Sequence, residues 1–314
     1  MRNAIATLFG GSGFIGRYVV QRLAARGVRI KVVTRDPHTA LHLKPLGEVG
    51  QIVPVAWPRE ITAEALTPLV AGSRLVVNFV GILHERRRGD FRRVHEELAG
   101  AVAAAARAAG VARLVHISAL GADPASPSAY ARTKALGEVR VRDAFPGATI
   151  LRPSVVFGPE DRFFNRFAAM SQISPVLPVV GPETRFQPVY VGDVADAVVA
   201  ALAGEEAVEG PFELGGPRVY TFAELLRYVL AVTGRRRLLL PVPFGLAEVL
   251  AGFLEWLPEP PLTRDQVRLL RRDNVVSGTC PGLDALGVAA TPVEVVVPRY
   301  LAAFRRGGVR LRTV

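Results

Sequence analysis

The chain has 314 residues and contains a single cysteine, Cys280. One cysteine excludes an internal disulfide and any cysteine-based metal site. The five histidines lack the spacing of metal ligands, so no metal site is predicted. A strand-like run begins almost at Met1, which leaves no room for a signal peptide and predicts a cytoplasmic protein.

Lysine is nearly as scarce as cysteine. The chain has 39 basic residues, and the lysines among them are Lys31, Lys44 and Lys134. The formal net charge of +11 indicates an acidic partner or surface, or simply a solvated basic face. There is no recognition-helix pattern and no stripe of basic and aromatic residues, so nucleic acid is not a predicted target. A lysine kept in an arginine-rich chain indicates a place where a compact ammonium is needed.

Uninterrupted apolar runs are also short. The most apolar segment, Leu238–Leu262, is broken by prolines and glutamates, and its helical part is too short to span a bilayer. One interpretation is a helix packed on its own lobe. The other is an exposed helix that docks on a membrane surface or a membrane-bound partner, helped by Arg235–Arg237 and by the tail arginines Arg305, Arg306, Arg310 and Arg312. The second interpretation would make the protein peripheral on the cytoplasmic face of the inner membrane.

The first half of the chain alternates strands with helices. The predicted helices are Phe14–Arg26, Phe91–Ala109 and Ser128–Ala144, and the predicted strands are Ile5–Phe9, Arg29–Thr34, Gln51–Val55, Arg74–Phe79, Arg113–Ser118 and Thr149–Arg152. This alternation predicts an α/β fold with a Rossmann-like, doubly wound parallel sheet. We expect this domain to cover residues 1–152.

After Arg152 the prolines cluster and the alternation ends. Residues 153–314 are predicted to form a smaller C-terminal α/β lobe, with the chain crossing back to the sheet. Asp193–Leu202 is predicted as a helix with Asp193 as its acidic N-cap. Thr221 and Glu224 have the spacing of a capping box at the start of another helix.

A glycine-rich turn lies between the first predicted strand and the first predicted helix. Its residues are Gly10, Gly11, Ser12, Gly13, Phe14, Ile15 and Gly16. Such glycines allow a sharp turn, a close approach of pyrophosphate to the backbone, and tight packing of helix on strand. The helix N-terminus then offers free N–H groups and the positive end of its dipole. The turn predicts a dinucleotide site.

Tyr130 and Lys134 stand four residues apart, on one face of a predicted helix. A nearby ammonium favours the phenolate and would lower the pKa of the tyrosine from its usual value near 10. The tyrosine would then exchange a proton with a carbonyl or hydroxyl during hydride transfer. The same lysine would hold the nicotinamide ribose.

The cofactor preference depends on the end of the second strand. The position where NAD enzymes carry an acid is occupied by Thr34, and Arg35 follows it. A guanidinium there suits a 2′-phosphate, so NADP(H) is favoured over NAD(H), although Asp36 could still reach a ribose. Asn78 and Gly81, at the end of the fourth strand, are predicted to let the cofactor pass close to the backbone.

These motifs together resemble the short-chain dehydrogenases/reductases, in particular the extended and atypical branch that includes nucleotide-sugar epimerases. The similar segments are Gly10–Gly16, Tyr130-x-x-x-Lys134, Leu151–Gly158 and Val191–Ala195. The resemblance implies that Ser118 completes a Ser-Tyr-Lys catalytic set and that Pro153, Ser154 and Val155 lie against the nicotinamide. The family's run of serines or threonines is missing after Ser118, and Ser126 and Ser128 are rival donors; this departure bears on catalysis more than on cofactor binding.

A second resemblance covers nearly the whole chain. Ser118–Ala122, Pro153–Asn165 and Leu262–Val267 are similar to the bacterial relatives of the nucleotide-binding accessory subunit of respiratory complex I, NADH:ubiquinone oxidoreductase. That resemblance implies a structural NADPH binder with a complex I partner. The alternatives are an NADP-dependent reductase or epimerase acting on a nucleotide sugar, sterol-like or quinone-like substrate, and a redox-sensing scaffold. The sequence does not identify a small-molecule substrate.

Overall fold

In the computed structural model, which describes residues 1–204 and 211–305, a parallel sheet follows the predicted alternation of strands and helices. The strands are β1 (Ile5–Phe9), β2 (Arg29–Thr34), β3 (Ile52–Ala56), β4 (Leu75–Asn78), β5 (Arg113–Ile117), β6 (Thr149–Pro153), β7 (Val156–Phe157), β8 (Val176–Val180), β9 (Arg185–Phe186), β10 (Val189–Tyr190), β11 (Phe212–Leu214), β12 (Tyr220–Thr221) and β13 (Leu238–Val242). The helices are α1 (Phe14–Ala25), α2 (Ala63–Val70), α3 (Leu98–Ala108), α4 (Ala129–Ala144), α5 (Phe164–Ile173), α6 (Val191–Ala203), α7 (Phe222–Thr233), α8 (Phe244–Leu254), α9 (Arg264–Leu269) and α10 (Val293–Leu301).

Two compact units make up the chain. The first comprises Met1–Pro153, Val191–Leu214 and Ser277–Ala289, and the second comprises Ser154–Tyr190, Gly215–Val276 and Ala290–Val314. Arg306, Arg310 and Arg312, which the sequence linked to a membrane surface, lie outside the described residues.

The first unit contains the seven-stranded sheet, in the order β11-β6-β5-β4-β1-β2-β3. All of its pairs are parallel, and β1 meets β2 from Ile5 opposite Arg29 to Phe9 opposite Val33. Helices α1 and α6 pack together, and α2, α3 and α4 form a second layer, so the sheet is enclosed by helices. Strands covered on both sides read as continuous apolar runs, as in β4, where every residue is buried. The predicted Rossmann-like α/β fold is confirmed.

The second unit has its own aromatic core. Phe157, Phe164, Phe186 and Phe222 are buried together with one face of α7 and α10. The predicted capping box is present at the start of α7, where Thr221 and Glu224 bond each other's backbone N–H groups. No helix in the described part of the chain has the length and apolar character needed to cross a membrane.

The structure corrects one local prediction, the N-cap of α6, and refines two others. The predicted helix Phe91–Ala109 begins with a π-helical turn, Arg92–Glu97, before α3. Helix α6 begins at Val191, so Asp193 lies in its first turn and is not its N-cap. The start of the apolar segment Leu238–Leu262 forms strand β13, because it pairs in parallel with β8, and the helix that follows is α8. Pro241 and Pro243 interrupt this segment, as expected from the sequence, and α8 begins directly after them.

Helix α4 is held against its neighbours by a glycine and an ion pair. A Cβ on Gly137 would overlap the backbone carbonyl of His95 in the π-helical turn. The next residue, Glu138, accepts two hydrogen bonds from Arg152 of β6, at 2.8 Å from Nε and 2.6 Å from Nη2. The Glu138 side chain is buried, and both of its oxygens are paired. Helix α4 is therefore fixed on one side by close packing on the π-helical turn and at the sheet by the Glu138–Arg152 ion pair.

We expect Gly137→Ala to destabilise the protein by about 3 kcal/mol, because the added methyl group must push α4 off the π-helical turn. The matched control is Gly252→Ala in α8, where a Cβ meets only ordinary contacts. Since alanine is the better helix former, the control should gain about 0.5–1 kcal/mol. The free energy of unfolding in urea measures both changes. An equal gain for both variants would refute the close packing at Gly137.

Candidate cofactor-binding site

The glycine turn after β1 folds as its sequence predicted. Gly10 has a φ of +75°, a conformation that L side chains rarely adopt. A Cβ on Gly16 would lie 2.6 Å from Cα of Gly11, so helix α1 packs directly on the turn. The Gly13 N–H donates to the Gly10 carbonyl at 3.0 Å and closes the loop. Larger residues at these positions would fill the space in which a pyrophosphate approaches the backbone.

Helix α1 starts at the exposed Gly13, which is its N-cap, and no side chain caps this end. The backbone N–H groups of Phe14, Ile15 and Gly16 occupy the first helical positions, where an α-helix supplies no internal acceptor. Ser12 is half-buried beside them. A helix end of this kind suits an anion, so the residues present fit the phosphates of a dinucleotide.

At the end of β2, the neighbouring charged residues Arg35 and Asp36 have different roles. The Asp36 carboxylate accepts the His38 N–H at 2.9 Å and caps the 3₁₀ helix Pro37–Leu46. Thr34 is half-buried, and its hydroxyl donates to the Asp36 carbonyl at 3.5 Å. Arg35 is exposed to solvent. The side chains of Arg35 and Asp36 are both exposed, and the guanidinium is the basic group at this strand end.

Asn78 and Gly81 shape the backbone after β4. The Asn78 side-chain oxygen accepts the Val80 N–H at 3.0 Å, and its amide lies 3.3 Å from Nδ1 of His116. A Cβ on Gly81 would lie 3.2 Å from Nζ of Lys134. The structure thus brings Gly81 and Lys134 together. Both residues were predicted from separate motifs to lie beside the cofactor, although they are far apart in the chain.

Lys134 is buried, and its ammonium donates to the carbonyl of Ile117, at the end of β5, over 3.1 Å. Burial lowers the pKa of Lys134 to about 8, and the Glu138 carboxylate opposes that shift. The lysine is thus fixed by the residue that precedes Ser118.

Tyr130 is half-buried and makes edge-to-face contacts with Phe91 and His95, at ring-centroid separations of 5.9 and 5.2 Å. Burial raises the pKa of Tyr130 to about 12. The expectation that Lys134 lowers this pKa was wrong for this structure, because desolvation of the phenolate dominates and the ammonium is directed to Ile117. The phenol is therefore protonated near neutral pH.

Of the three candidate serines, Ser118, Ser126 and Ser128, the first has a hydroxyl that is available to a ligand. Its hydroxyl is buried and has no hydrogen-bond partner among the described residues. The rival donors have structural roles: Ser126 accepts the N–H of Ser128 at 3.2 Å, and Ser128 caps α4 by accepting the N–H of Ala131. A buried hydroxyl without a partner fits a ligand that completes its hydrogen bonding.

His95 and His116 also belong to this site, although the sequence suggested histidine only as a possible metal ligand. Nε2 of His95 accepts the Ile82 N–H at 3.1 Å, and its Nδ1 lies 3.1 Å from the Thr133 hydroxyl. His116 is buried on β5, and its Nε2 has no partner within the part of the chain that the structure describes. The signal for His116 was its position two residues before Ser118, on the same face of the strand.

Both histidines are held neutral by their surroundings. Burial, helped by the Lys134 charge, lowers the pKa of His95 to about 2 and that of His116 to about 3. Because Nε2 of His95 accepts a hydrogen bond, the ring proton is on Nδ1 and points to Thr133. The Lys134 ammonium is thus the one positive charge that this cluster of Tyr130, Lys134, His95 and His116 accommodates.

The predicted nicotinamide contacts fall in different units. The carbonyl of Pro153, in the first unit, accepts the Leu120 N–H at 3.0 Å. Ser154 and Val155 belong to the second unit, and the Asn274 side-chain oxygen accepts the Ser154 hydroxyl at 2.7 Å and the Val155 N–H at 3.1 Å. No pattern in the sequence pointed to Asn274, which lies more than a hundred residues away along the chain. The roles proposed for these three residues toward a cofactor stay predictions.

Comparison with known proteins places these features in a family. Residues 6–215 match the model of the NAD dependent epimerase/dehydratase family. The chain is 37% identical over 293 residues to subunit 9 of the NADH dehydrogenase (ubiquinone) 1 alpha subcomplex of Mus musculus mitochondria, covering 92% of this chain and 78% of that protein. It is also 35% identical over 242 residues to the ceramide reductase of Caulobacter vibrioides, covering 76% of this chain and 74% of that enzyme.

Solved structures share the fold at lower sequence identity. The triphenylmethane reductase of Citrobacter sp. aligns with a TM-score of 0.74 over 95% of this chain and 99% of its own, at 20% identity. This similarity concerns the fold alone.

The neutral histidines predict a dependence of stability on pH. The unfolded chain binds protons at histidine near pH 6.5, but folded His95 and His116 do so only near pH 2 and 3. The free energy of unfolding should therefore fall as the pH drops below about 6.5, by about 1.4 kcal/mol per pH unit for each histidine. In His116→Gln, the free energy of unfolding measured in urea should fall less steeply with decreasing pH, by about 1.4 kcal/mol per pH unit. The exposed His38→Gln is the control, and a wild-type slope in His116→Gln would contradict the prediction.

Proposed function

This chain belongs to the NAD dependent epimerase/dehydratase family, and we propose that it is an NADP(H)-binding accessory protein of respiratory complex I that holds its cofactor as a structural part. The observation that carries the proposal is the 37% identity to a complex I subunit, which extends over 92% of the chain. Similarity over that range includes both units. It therefore supports a shared role of the whole protein and not only a shared nucleotide-binding fold.

The cofactor would be held by residues already described in the first unit. The glycine turn and the N-terminus of α1 would bind the pyrophosphate, Arg35 would bind the 2′-phosphate, and Lys134 would bind the nicotinamide ribose. When bound, the nicotinamide supplies or accepts a hydride. The exposed guanidinium of Arg35 at the end of β2 supports NADP(H), because it can pair with a 2′-phosphate.

The state of Tyr130 supports a structural role for the cofactor. With a pKa of about 12, its phenol keeps its proton and is a poor base at neutral pH. The Lys134 ammonium, which would activate the phenolate, donates to the Ile117 carbonyl. Neither side chain is prepared to remove a proton from a substrate hydroxyl.

A second candidate function is an NADP-dependent reductase, and the partnerless Ser118 hydroxyl favours it. In the direction of reduction the substrate carbonyl oxygen needs a proton, which a protonated Tyr130 can donate, while Ser118 would hold that oxygen. The 35% identity to a ceramide reductase adds a sphingolipid carbonyl to the nucleotide-sugar and quinone-like candidates. This activity needs a hydride donor and an identified substrate.

Association with complex I is tested by affinity purification of the full chain, tagged, from membranes of its own host. We expect complex I subunits to copurify and NADPH to be released from the purified protein on denaturation. Absence of complex I subunits, with the tagged protein folded and expressed, would refute the accessory role.

Tyr130→Phe separates the two functions. If the cofactor is structural, purified wild-type protein retains NADPH without oxidising it, and Tyr130→Phe retains NADPH and complex I equally well. The control is Tyr228→Phe, which removes a phenol hydroxyl from the second unit. NADPH oxidation is followed by absorbance with sphingolipid, quinone and nucleotide-sugar carbonyls. Turnover that Tyr130→Phe abolishes and Tyr228→Phe keeps would establish the reductase instead.

Arg35→Ala should weaken NADPH binding by about 1.5–3 kcal/mol, the value of a charged hydrogen bond, and leave NADH binding nearly unchanged. The matched control is Arg29→Ala, which removes an exposed arginine from the opposite end of β2. Calorimetric titration with each nucleotide gives both affinities. Equal losses for NADPH and NADH would show that Arg35 does not select the 2′-phosphate.

A further inference from the structure

Helix α8 packs on the second unit with its small side chains and exposes its large ones. Ala247 and Ala251 are fully buried against Val180 and Val267. The opposite side carries an exposed apolar face, which consists of Leu246, Val249, Leu250, Phe253, Trp256 and Leu257. A helix that served only its own core would bury its large apolar residues and expose its small ones.

The apolar face is continuous along the helix. Within α8, Leu246, Val249, Leu250 and Phe253 follow the spacing i, i+3, i+4 and i+7, which keeps them on one side, and Trp256 and Leu257 follow directly after the helix. Trp256 stays in register because its N–H donates to the Phe253 carbonyl after the last full turn of α8. Trp256 is 89% exposed and Phe253 is 74% exposed. Contiguous exposed residues of this size mark an interaction surface.

The charges around this face are basic. Segment 235–272 contains seven arginines, no lysine and four acidic residues. The two glutamates of the α8 region are already neutralised, since Glu248 pairs with Arg271 at 3.1 Å and Glu255 pairs with Arg264 at 3.0 Å. Arg236 and Arg268 are exposed. An apolar helix face with surrounding positive charge is complementary to an anionic lipid surface.

We propose that the apolar face of α8 docks this protein on the surface of an anionic lipid bilayer. Helix α8 has 11 residues and therefore lies in the interface without spanning it. Phe253 and Trp256 enter the boundary between headgroups and acyl chains, where aromatic side chains are favoured. The exposed arginines remain at the level of the phosphates. This inference goes beyond the proposed function and stands whether or not the protein binds complex I.

The test uses the full chain and vesicles of two compositions: phosphatidylcholine alone, and equal parts phosphatidylcholine and phosphatidylglycerol. The chain has two tryptophans, and Trp57 packs on Phe9 at 5.6 Å, so a Trp57→Phe background leaves Trp256 as the reporter. We expect the protein to sediment with anionic vesicles and the Trp256 emission to shift to shorter wavelength as the indole leaves water. Added salt should weaken the binding.

Phe253→Ser and Trp256→Ser should each weaken binding to anionic vesicles by about tenfold or more, as loss of one buried aromatic side chain implies. The matched control is Val49→Ser, which removes a fully exposed apolar side chain from the first unit. Arg236→Gln with Arg268→Gln should weaken anionic binding and reduce its salt dependence. Circular dichroism verifies that each variant is folded.

Two results would overturn the proposal. One is no sedimentation and no emission shift with anionic vesicles, which would assign the face to a protein partner or to another copy of the chain. The other is undiminished binding in the folded Phe253→Ser and Trp256→Ser variants. Copurification with complex I is measured separately, so failure of the lipid proposal does not affect the accessory role.

Discussion

The close packing between Gly137 and the backbone of His95 is the constraint on which the site depends. Only glycine allows α4 to lie directly on the π-helical turn, and a turn of this kind is common at functional positions. That approach places the His95 ring against Tyr130 and within reach of Gly81. The Glu138–Arg152 ion pair then fixes the same helix to β6.

Burial explains the electrostatics of the site. Burial lowers the pKa of Lys134 to about 8, close to neutral pH. The adjacent His95 and His116 are kept uncharged, because burial lowers their pKa values as well. Desolvation penalises every charge in this cluster, and the Glu138 carboxylate offsets the penalty for Lys134 alone. The same desolvation keeps Tyr130 protonated. A phenol in that state suits proton donation or simple structural binding better than proton removal.

Much of this arrangement was predictable because it depends on local chemistry. The glycine turn, the strand alternation and the Thr221–Glu224 capping box all have short-range signatures, and the structure contains each of them. The π-helical turn and strand β13 had no such signature. A π-helical turn holds one residue more than an α-helical turn, so a neighbouring helix must make room for it. Strand β13 needs β8 as its hydrogen-bonding partner. Both depend on contacts between segments far apart in the sequence.

The sequence by itself determined the family and the parallel sheet and predicted a dinucleotide site at the glycine turn, because residue type and spacing encode these features directly. Only the tertiary structure decided that Lys134 bonds Ile117, that Ser118 lacks a partner among the described residues, and that burial raises the pKa of Tyr130. It also decided which side of α8 faces outward. Composition shows how apolar a helix is, but burial depends on which neighbours fold against it, and those neighbours come from elsewhere in the chain.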